Sequence, residues 1–319
     1  MEAPDTVPDP RRKLSFSEVP SDEQPVVTKC EPGRLQVYVR LRALQKDAES
    51  AEMHATDKAI SLRTTKTSTA GKDTVEETSF TFDGVFDGTT TQSEVFRTAM
   101  MPQVHGLFNG ADTLTFAYGI TNAGKTYTIQ GKESADEMGV LPRAFNAIFA
   151  AIQQNADRAA GVSPRQTTAQ AAADATDLGL DPTCTYEVRA SFLEVYGNDA
   201  FDLLVPTEKG AKWQALRLKE DKGQVYAEGL KEAEFPDVET ALSNVAYGWE
   251  QRSASSNGIN DLSSRSHAVL CIRLLTHRPG VAKPQSTRLC VVDLAGAERQ
   301  KKTGSSGARL NEARAVTVL

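Results

Sequence analysis

From residue 35 onward the hydrophobic positions follow two rhythms. Residues 35–39 read as a first strand, and residues 79–83 alternate apolar and polar side chains like a half-buried one. Residues 114–118 form a short apolar run that enters a glycine turn directly, as a buried strand does. Residues 186–196, 268–275 and 289–293 are further strand-like runs. Between them the spacing changes to that of helices. Val95, Phe96, Met100, Val104, Leu107 and Phe108 predict one helix. Leu141, Phe145, Ile148, Phe149 and Ile152 line a second, with Pro142 suited to its first turn. Val238, Leu242, Val245 and Trp249 mark a third. Strands interleaved with helices predict an α/β layered architecture.

Two stretches interrupt these rhythms. Residues 1–33 carry Pro4, Pro8, Pro10, Pro20, Pro25 and Pro32 among Asp, Glu and Ser. Burial there cannot offset the entropy of ordering, so a disordered arm is expected, with the folded domain over 34–319. Residues 156–183, rich in Ala, Gln, Thr and Asp, read as a surface insertion.

Composition narrows the function classes. Across 319 residues, 39% are hydrophobic and 24% charged, which is enough to bury a core. A net charge of −6 argues against a surface that binds nucleic acid along its whole extent. The apolar runs are too short to span a bilayer. Cys30, Cys184, Cys271 and Cys290 are scattered without a C-x-x-C pair, which fits reduced thiols in the cytoplasm.

The sharpest chemical feature follows the strand at 114–118. Gly119, Ile120, Thr121, Asn122, Ala123, Gly124, Lys125 and Thr126 spell G-x-x-x-x-G-K-T. The glycines let the backbone curl so that its N–H groups face phosphate oxygens. Lys125 adds a point charge, and the Thr126 hydroxyl suits Mg²⁺. A phosphate loop needs a second acidic element, and the strand at 289–293 supplies it in Asp293. Gly296, three residues later, can bring a backbone N–H to a terminal phosphate. A third element, residues 260–267, places Asn260, Ser263, Ser264 and Arg265 just before a strand. Its hydroxyls and arginine suit a phosphate and an attacking water. On composition alone it reads rather as a serine-rich loop, and His267 within it reads as a structural histidine.

In this order the three elements resemble the P-loop, switch I (N-x-x-S-S-R-S-H) and switch II (D-L-A-G-x-E) of the kinesin motor domain. Arg40 and Arg42 resemble the R-x-R-P element that meets the nucleotide base, although Ala43 stands in place of the proline. Residues 80–86, 139–143, 191–196, 202–204 and 310–313 also fit, so the likeness runs from 35 to 313. It implies a P-loop NTPase-type three-layer α/β sandwich, with a central mixed, mostly parallel sheet flanked by helices, incomplete at its C-terminal end.

The resemblance implies an ATPase with ATP and Mg²⁺ as its ligands. Thr126 and Ser264 would ligate Mg²⁺ directly and Asp293 through water. Glu298 would help deprotonate the attacking water, paired with Arg265, while Ser263 and Ser264 close on the terminal phosphate. Tyr127 would stack near the adenine. Lys301, Lys302, Arg309 and Arg314 would meet acidic tubulin on the microtubule, and any dimer would form through sequence outside this chain. Ile120 in the loop, residues 128–131 and the insertion are similar to the kinesin-6 group, implying a cytoskeletal place on the spindle. The family's later segments do not follow Leu319, so a truncated domain is expected, poorly stable alone and without microtubule-stimulated activity. An alternative is a non-motor kinesin-like protein that binds nucleotide or tubulin without stepping. A P-loop GTPase is disfavoured, because the chain has no N-K-x-D base-reading motif.

Overall fold

The computed structural model describes residues 15–18, 35–42, 52–67, 73–162, 178–205, 214–221, 224–255 and 265–297. The chain opens with β1 (Phe16–Glu18) and β2 (Tyr38–Arg40). A meander follows, β3 (Glu52–Ala55), β4 (Ala59–Thr67) and β5 (Asp73–Thr81), and then β6 (Gly84–Phe86). β2 and β6 pair in parallel, while β3, β4 and β5 form a separate antiparallel sheet. Residues 79–81 were expected to be half buried. Instead they lie in this small outlying sheet, and Phe80 is 48% exposed.

Helix α1 (Gln92–Val95) starts on a capping box in which Thr91 and Glu94 bond each other's backbone N–H. It widens into a π turn over Phe96–Met100 and continues as α2 (Met101–Phe108). The Met101 N–H reaches Phe96 O, five residues back, just before Pro102, which has no N–H to offer. The helix expected over 95–108 is therefore one continuous rod with a local bulge. Phe96, Met100, Val104 and Leu107 are all fully buried.

Then come β7 (Thr113–Ala117), α3 (Lys125–Ile129) and α4 (Val140–Ala159). The segment expected as an insertion from 156 thus begins inside α4. Asn155 is buried there because its Nδ2 donates to Asp181 O and Cys184 O, tying the helix to the next strand. The chain goes on through β8 (Thr185–Tyr196), β9 (Asp199–Asp202), β10 (Arg217–Asp221), β11 (Gln224–Glu228) and β12 (Lys231–Phe235). Helix α5 (Val238–Ser255), β13 (His267–His277) and β14 (Gln285–Asp293) complete it.

The main sheet runs β1-β12-β8-β13-β14-β7, with β9 also paired to β8. It is mixed, as expected, but it is not mostly parallel: β14–β7 is its one parallel pair among the described residues. Short connections explain the correction. A two-residue turn at Gly197 and Asn198 joins β8 to β9, and residues 278–284 return β13 onto β14, so both partners must be antiparallel. The arm at 1–33 also departs from expectation, since Phe16–Glu18 adds to the sheet edge opposite residues 231–233. Glu18 meets Lys231 there, and Ser17 meets Arg189.

One face of the sheet holds the core. Leu289, Ile272, Ala190 and Ala233 stand in register on it, as do Val291, Leu270 and Phe192. All are buried against α2, α4 and α5 through Leu141, Phe145, Ile148 and Trp249. Among the described residues the helices gather on this face, in contact with one another. The packing fixes the C-terminal ends of β7 and β14 side by side, and the phosphate loop leaves from β7.

Candidate nucleotide site

Gly124 caps α3 with φ +101°, a left-handed conformation that glycine adopts without strain. That turn lets Lys125 and Thr126 begin the helix immediately after the loop. Lys125 Nζ lies across the loop and donates to Gly119 O and Ile120 O, both at 2.9 Å. The ammonium group is therefore held over the loop rather than out in solvent. Ile120 is 60% exposed, and Thr121, Asn122 and Ala123 line the cleft. Asn122 sits at φ 63°, a region asparagine tolerates, and its carbonyl accepts from Arg42 at 2.8 Å.

The parallel neighbour β14 delivers Asp293 to the same place. Thr126 Oγ1 donates to Asp293 Oδ2 at 2.8 Å. The same oxygen accepts from Arg252 on α5 at 2.8 Å. Asp293 Oδ1 is buried without a hydrogen-bond partner. A hydroxyl beside an unsatisfied buried carboxylate oxygen is a donor set suited to a hard divalent cation, so Thr126 and Asp293 fit the Mg²⁺ role expected of them.

Arg252 is a site residue the sequence reading missed. Besides Asp293 it donates to Ser266 O at 2.9 Å, and it lies 3.7 Å from Glu194. Ser266 Oγ in turn donates to Glu194 at 2.6 Å. Burial pushes the Glu194 pKa up, against the pull of Ser266 and Arg252. A signal was present: Arg252 continues the apolar stripe of α5, three residues after Trp249, and a charge in a buried stripe demands a partner.

His267 has a structural role, as expected. Its Nδ1 accepts the Ala295 N–H at 3.1 Å, and burial lowers its pKa, which keeps the ring neutral. This bond steadies residues 294–297, where Ala297 N–H also reaches Gly119 O at 3.1 Å. Gly296 is thereby brought to the cleft beside the loop. Arg265 is half buried in the turn leading to Ser266.

On the other side of the loop, Arg40 donates to Gln92 at 2.7 Å and to Thr128 at 3.0 Å. Its guanidinium lies 5.3 Å from the centre of the Tyr127 ring. Gln92 Nε2 donates to the Tyr127 carbonyl at 2.6 Å. The aromatic and guanidinium faces expected near a base are thus next to the loop. They share with it a cleft of about 1400 Å³ that reaches Asp293 and Gly296. Asn260, Ser263, Ser264, Glu298, Lys301, Lys302, Arg309 and Arg314 lie outside the described residues, as does Ala43.

A glycine-cornered loop between a strand and a helix, with the neighbouring strand's carboxylate on the helix's threonine, is the arrangement of P-loop nucleotide-binding proteins. Comparison with known proteins narrows that class. Residues 40–317 match the kinesin motor domain family, and the chain belongs to it. It is 33% identical over 253 residues to the kinesin-like protein KIN-12B of Arabidopsis thaliana, covering 75% of this chain and 17% of that protein. It is 34% identical over 242 residues to the chromosome-associated kinesin KIF4A of Homo sapiens, covering 73% of this chain and 17% of that protein. The chain therefore spans about a sixth of the length of either relative. A solved KIF14 dimer with AMP-PNP, in complex with a microtubule, superposes with a TM-score of 0.67 at 28% identity, covering 89% of this chain and 74% of that one.

Proposed function

We propose that this chain is the nucleotide-hydrolysing part of a microtubule motor, which cleaves ATP and couples the cleavage to microtubule binding and movement. The observation that carries the reading is the Thr126–Asp293 contact beneath the Lys125 loop, in a chain of the kinesin motor domain family. Lys125 would hold the β- and γ-phosphates, and Tyr127 with Arg40 and Arg42 would receive the base. Mg²⁺, held by Thr126 and Ser264 and through water by Asp293, would neutralise phosphate charge. Phosphoryl transfer needs mainly positioning and charge compensation, which this set supplies. Glu298, paired with Arg265, would take the proton of the attacking water, with Ser263 and Gly296 at the terminal phosphate.

The partner is the microtubule. The KIF14 structure is a microtubule complex, and Lys301, Lys302, Arg309 and Arg314 give this acidic chain a local basic stretch for an acidic polymer. The cellular place that follows is the cytoskeleton. Ile120 and residues 128–131 support a kinesin-6-like member acting on the spindle. Among the described residues no helix is long and apolar enough to cross a membrane.

The test measures phosphate release from Mg-ATP, with and without polymerised tubulin, by a motor domain in which this chain is continued through the family's later segments. Hydrolysis that rises with microtubule concentration supports the reading. ATP binding and hydrolysis indifferent to microtubules would overturn the motor assignment.

A further inference from the structure

The face of the sheet opposite the core carries a chemical pair that the nucleotide site does not use. Cys271 on β13 and Cys290 on β14 stand directly opposite each other in antiparallel register. Their sulfur atoms are 3.1 Å apart. We propose that Cys271 and Cys290 are an oxidation site, a thiol pair that a hydroperoxide converts into a disulfide stapling β13 to β14.

The backbone is already placed for the bond. Directly opposed residues of antiparallel strands have Cα atoms about 4.5–5.5 Å apart, inside the roughly 4.4–6.8 Å that disulfides span. Closing the sulfur gap to about 2.05 Å needs side-chain motion of about one ångström, without a change of register. The pairing is also selective. Cys184 immediately precedes Thr185, which pairs with His277, six residues or about 20 Å along β13 from Cys271.

The two thiols are inequivalent. Cys271 is buried, whereas Cys290 is half buried on the side of the sheet that Arg288 shares. The contact with Cys271 and then the Arg288 guanidinium lower the Cys290 pKa, while that same contact and burial raise that of Cys271. Cys290, the more exposed of the two and the one beside the Arg288 guanidinium, is the thiol that attacks. It attacks one oxygen of hydrogen peroxide, the O–O bond breaks, and the departing hydroxide takes a proton to leave as water. Cys290 is now a sulfenic acid. The Cys271 sulfur attacks that sulfur and the S–O bond breaks. The leaving hydroxide takes the Cys271 proton as a second water. Two thiols are oxidised and one peroxide is reduced. The staple joins the two strands whose phosphate-side ends present His267 and Asp293.

The test exposes the folded 319-residue chain to millimolar hydrogen peroxide, caps remaining thiols by alkylation and maps the peptides by mass spectrometry. The expected main product is a Cys271–Cys290 cross-link that dithiothreitol reverses. Amide hydrogen exchange over residues 272–289 should slow by about tenfold or more upon oxidation. Cys290→Ser should abolish both effects. In Cys271→Ser, Cys290 should stop at a sulfenic acid captured by a dimedone probe. Oxidation of Cys290 to sulfinic acid without a cross-link in the native chain would overturn the proposal. So would an equal cross-link yield in the urea-unfolded chain, or cross-links dominated by Cys30 or Cys184.

Discussion

Replacing Arg252 by alanine removes the one described cation bonded to both Asp293 and the Ser266 carbonyl. Arg252, Asp293 and Glu194 have side chains exposed by 4%, 2% and 8%, so water cannot take over the lost contacts. The variant leaves two carboxylates in the interior, one of them 2.8 Å from its former partner. Breaking such a buried pair costs about 3–5 kcal/mol, against a total stability of ~5–15 kcal/mol for a domain. The Arg252 guanidinium also lies 5.3 Å from the Trp249 ring centre, and that contact is lost as well. At ~2–4 °C per kcal/mol for large domains, the melting temperature should fall by roughly 6–20 °C. Arg252→Lys keeps the charge but not the fork that reaches Asp293 and Ser266 together, and should fall between. Urea unfolding and thermal melts of the three proteins, without nucleotide, measure this directly. An alanine variant within about 0.5 kcal/mol of the parent would show that the network contributes nothing, and the account of how Asp293 is held would fail.

Further outcomes follow from other parts of the structure. A Cβ on Gly139 would press into the backbone of Ile129 and Gln130, so Gly139→Ala should destabilise at or beyond the upper end of ~1–3 kcal/mol and weaken nucleotide binding by shifting α3; unchanged urea unfolding would refute the close approach. Burial raises the Glu194 pKa above 4.5, so the stability this group contributes is present below pH 4.5 and is lost as pH rises through the raised value. Glu194→Gln should remove that decline, so the parent-minus-variant stability should fall with rising pH; a difference constant across the range would contradict it. Glu298→Ala should leave ATP binding intact while slowing single-turnover hydrolysis by roughly 10²–10⁴-fold, and a variant as fast as the parent would remove Glu298 from the chemistry.

What the sequence revealed, and what it hid, depends on separation along the chain. The loop from Gly119 to Thr126 was legible because its chemistry is local: eight consecutive residues carry both the turn and the charge. Asp293 was legible because an apolar strand ends on it, although its hydroxyl partner lies 167 residues away. Arg252 shows in the sequence only as a charge in an apolar stripe; which carboxylate it meets is hidden, because that partner is 41 residues distant. The mostly parallel sheet is what the family resemblance implies, whereas the alternation of strands and helices says only that the fold is layered α/β. The turns at Gly197–Asn198 and at Pro279–Gly280 carried the opposite message, that the flanking strands fold back on each other. β1 was invisible for a different reason. Three residues have no periodicity, and their order comes from pairing with a strand more than 200 residues later.

Whether residues 119–126 bind nucleotide through phosphate is decided by the affinity for a fluorescent ATP analogue in Mg²⁺, measured for the parent and for Lys125→Ala. Lys125 bridges the loop through Gly119 and Ile120 and is its one side-chain cation. The parent should bind saturably and the variant at least ~10–100-fold more weakly, since a charge-assisted phosphate contact is worth about 1.5–3 kcal/mol. Equal affinity in the two proteins would contradict it.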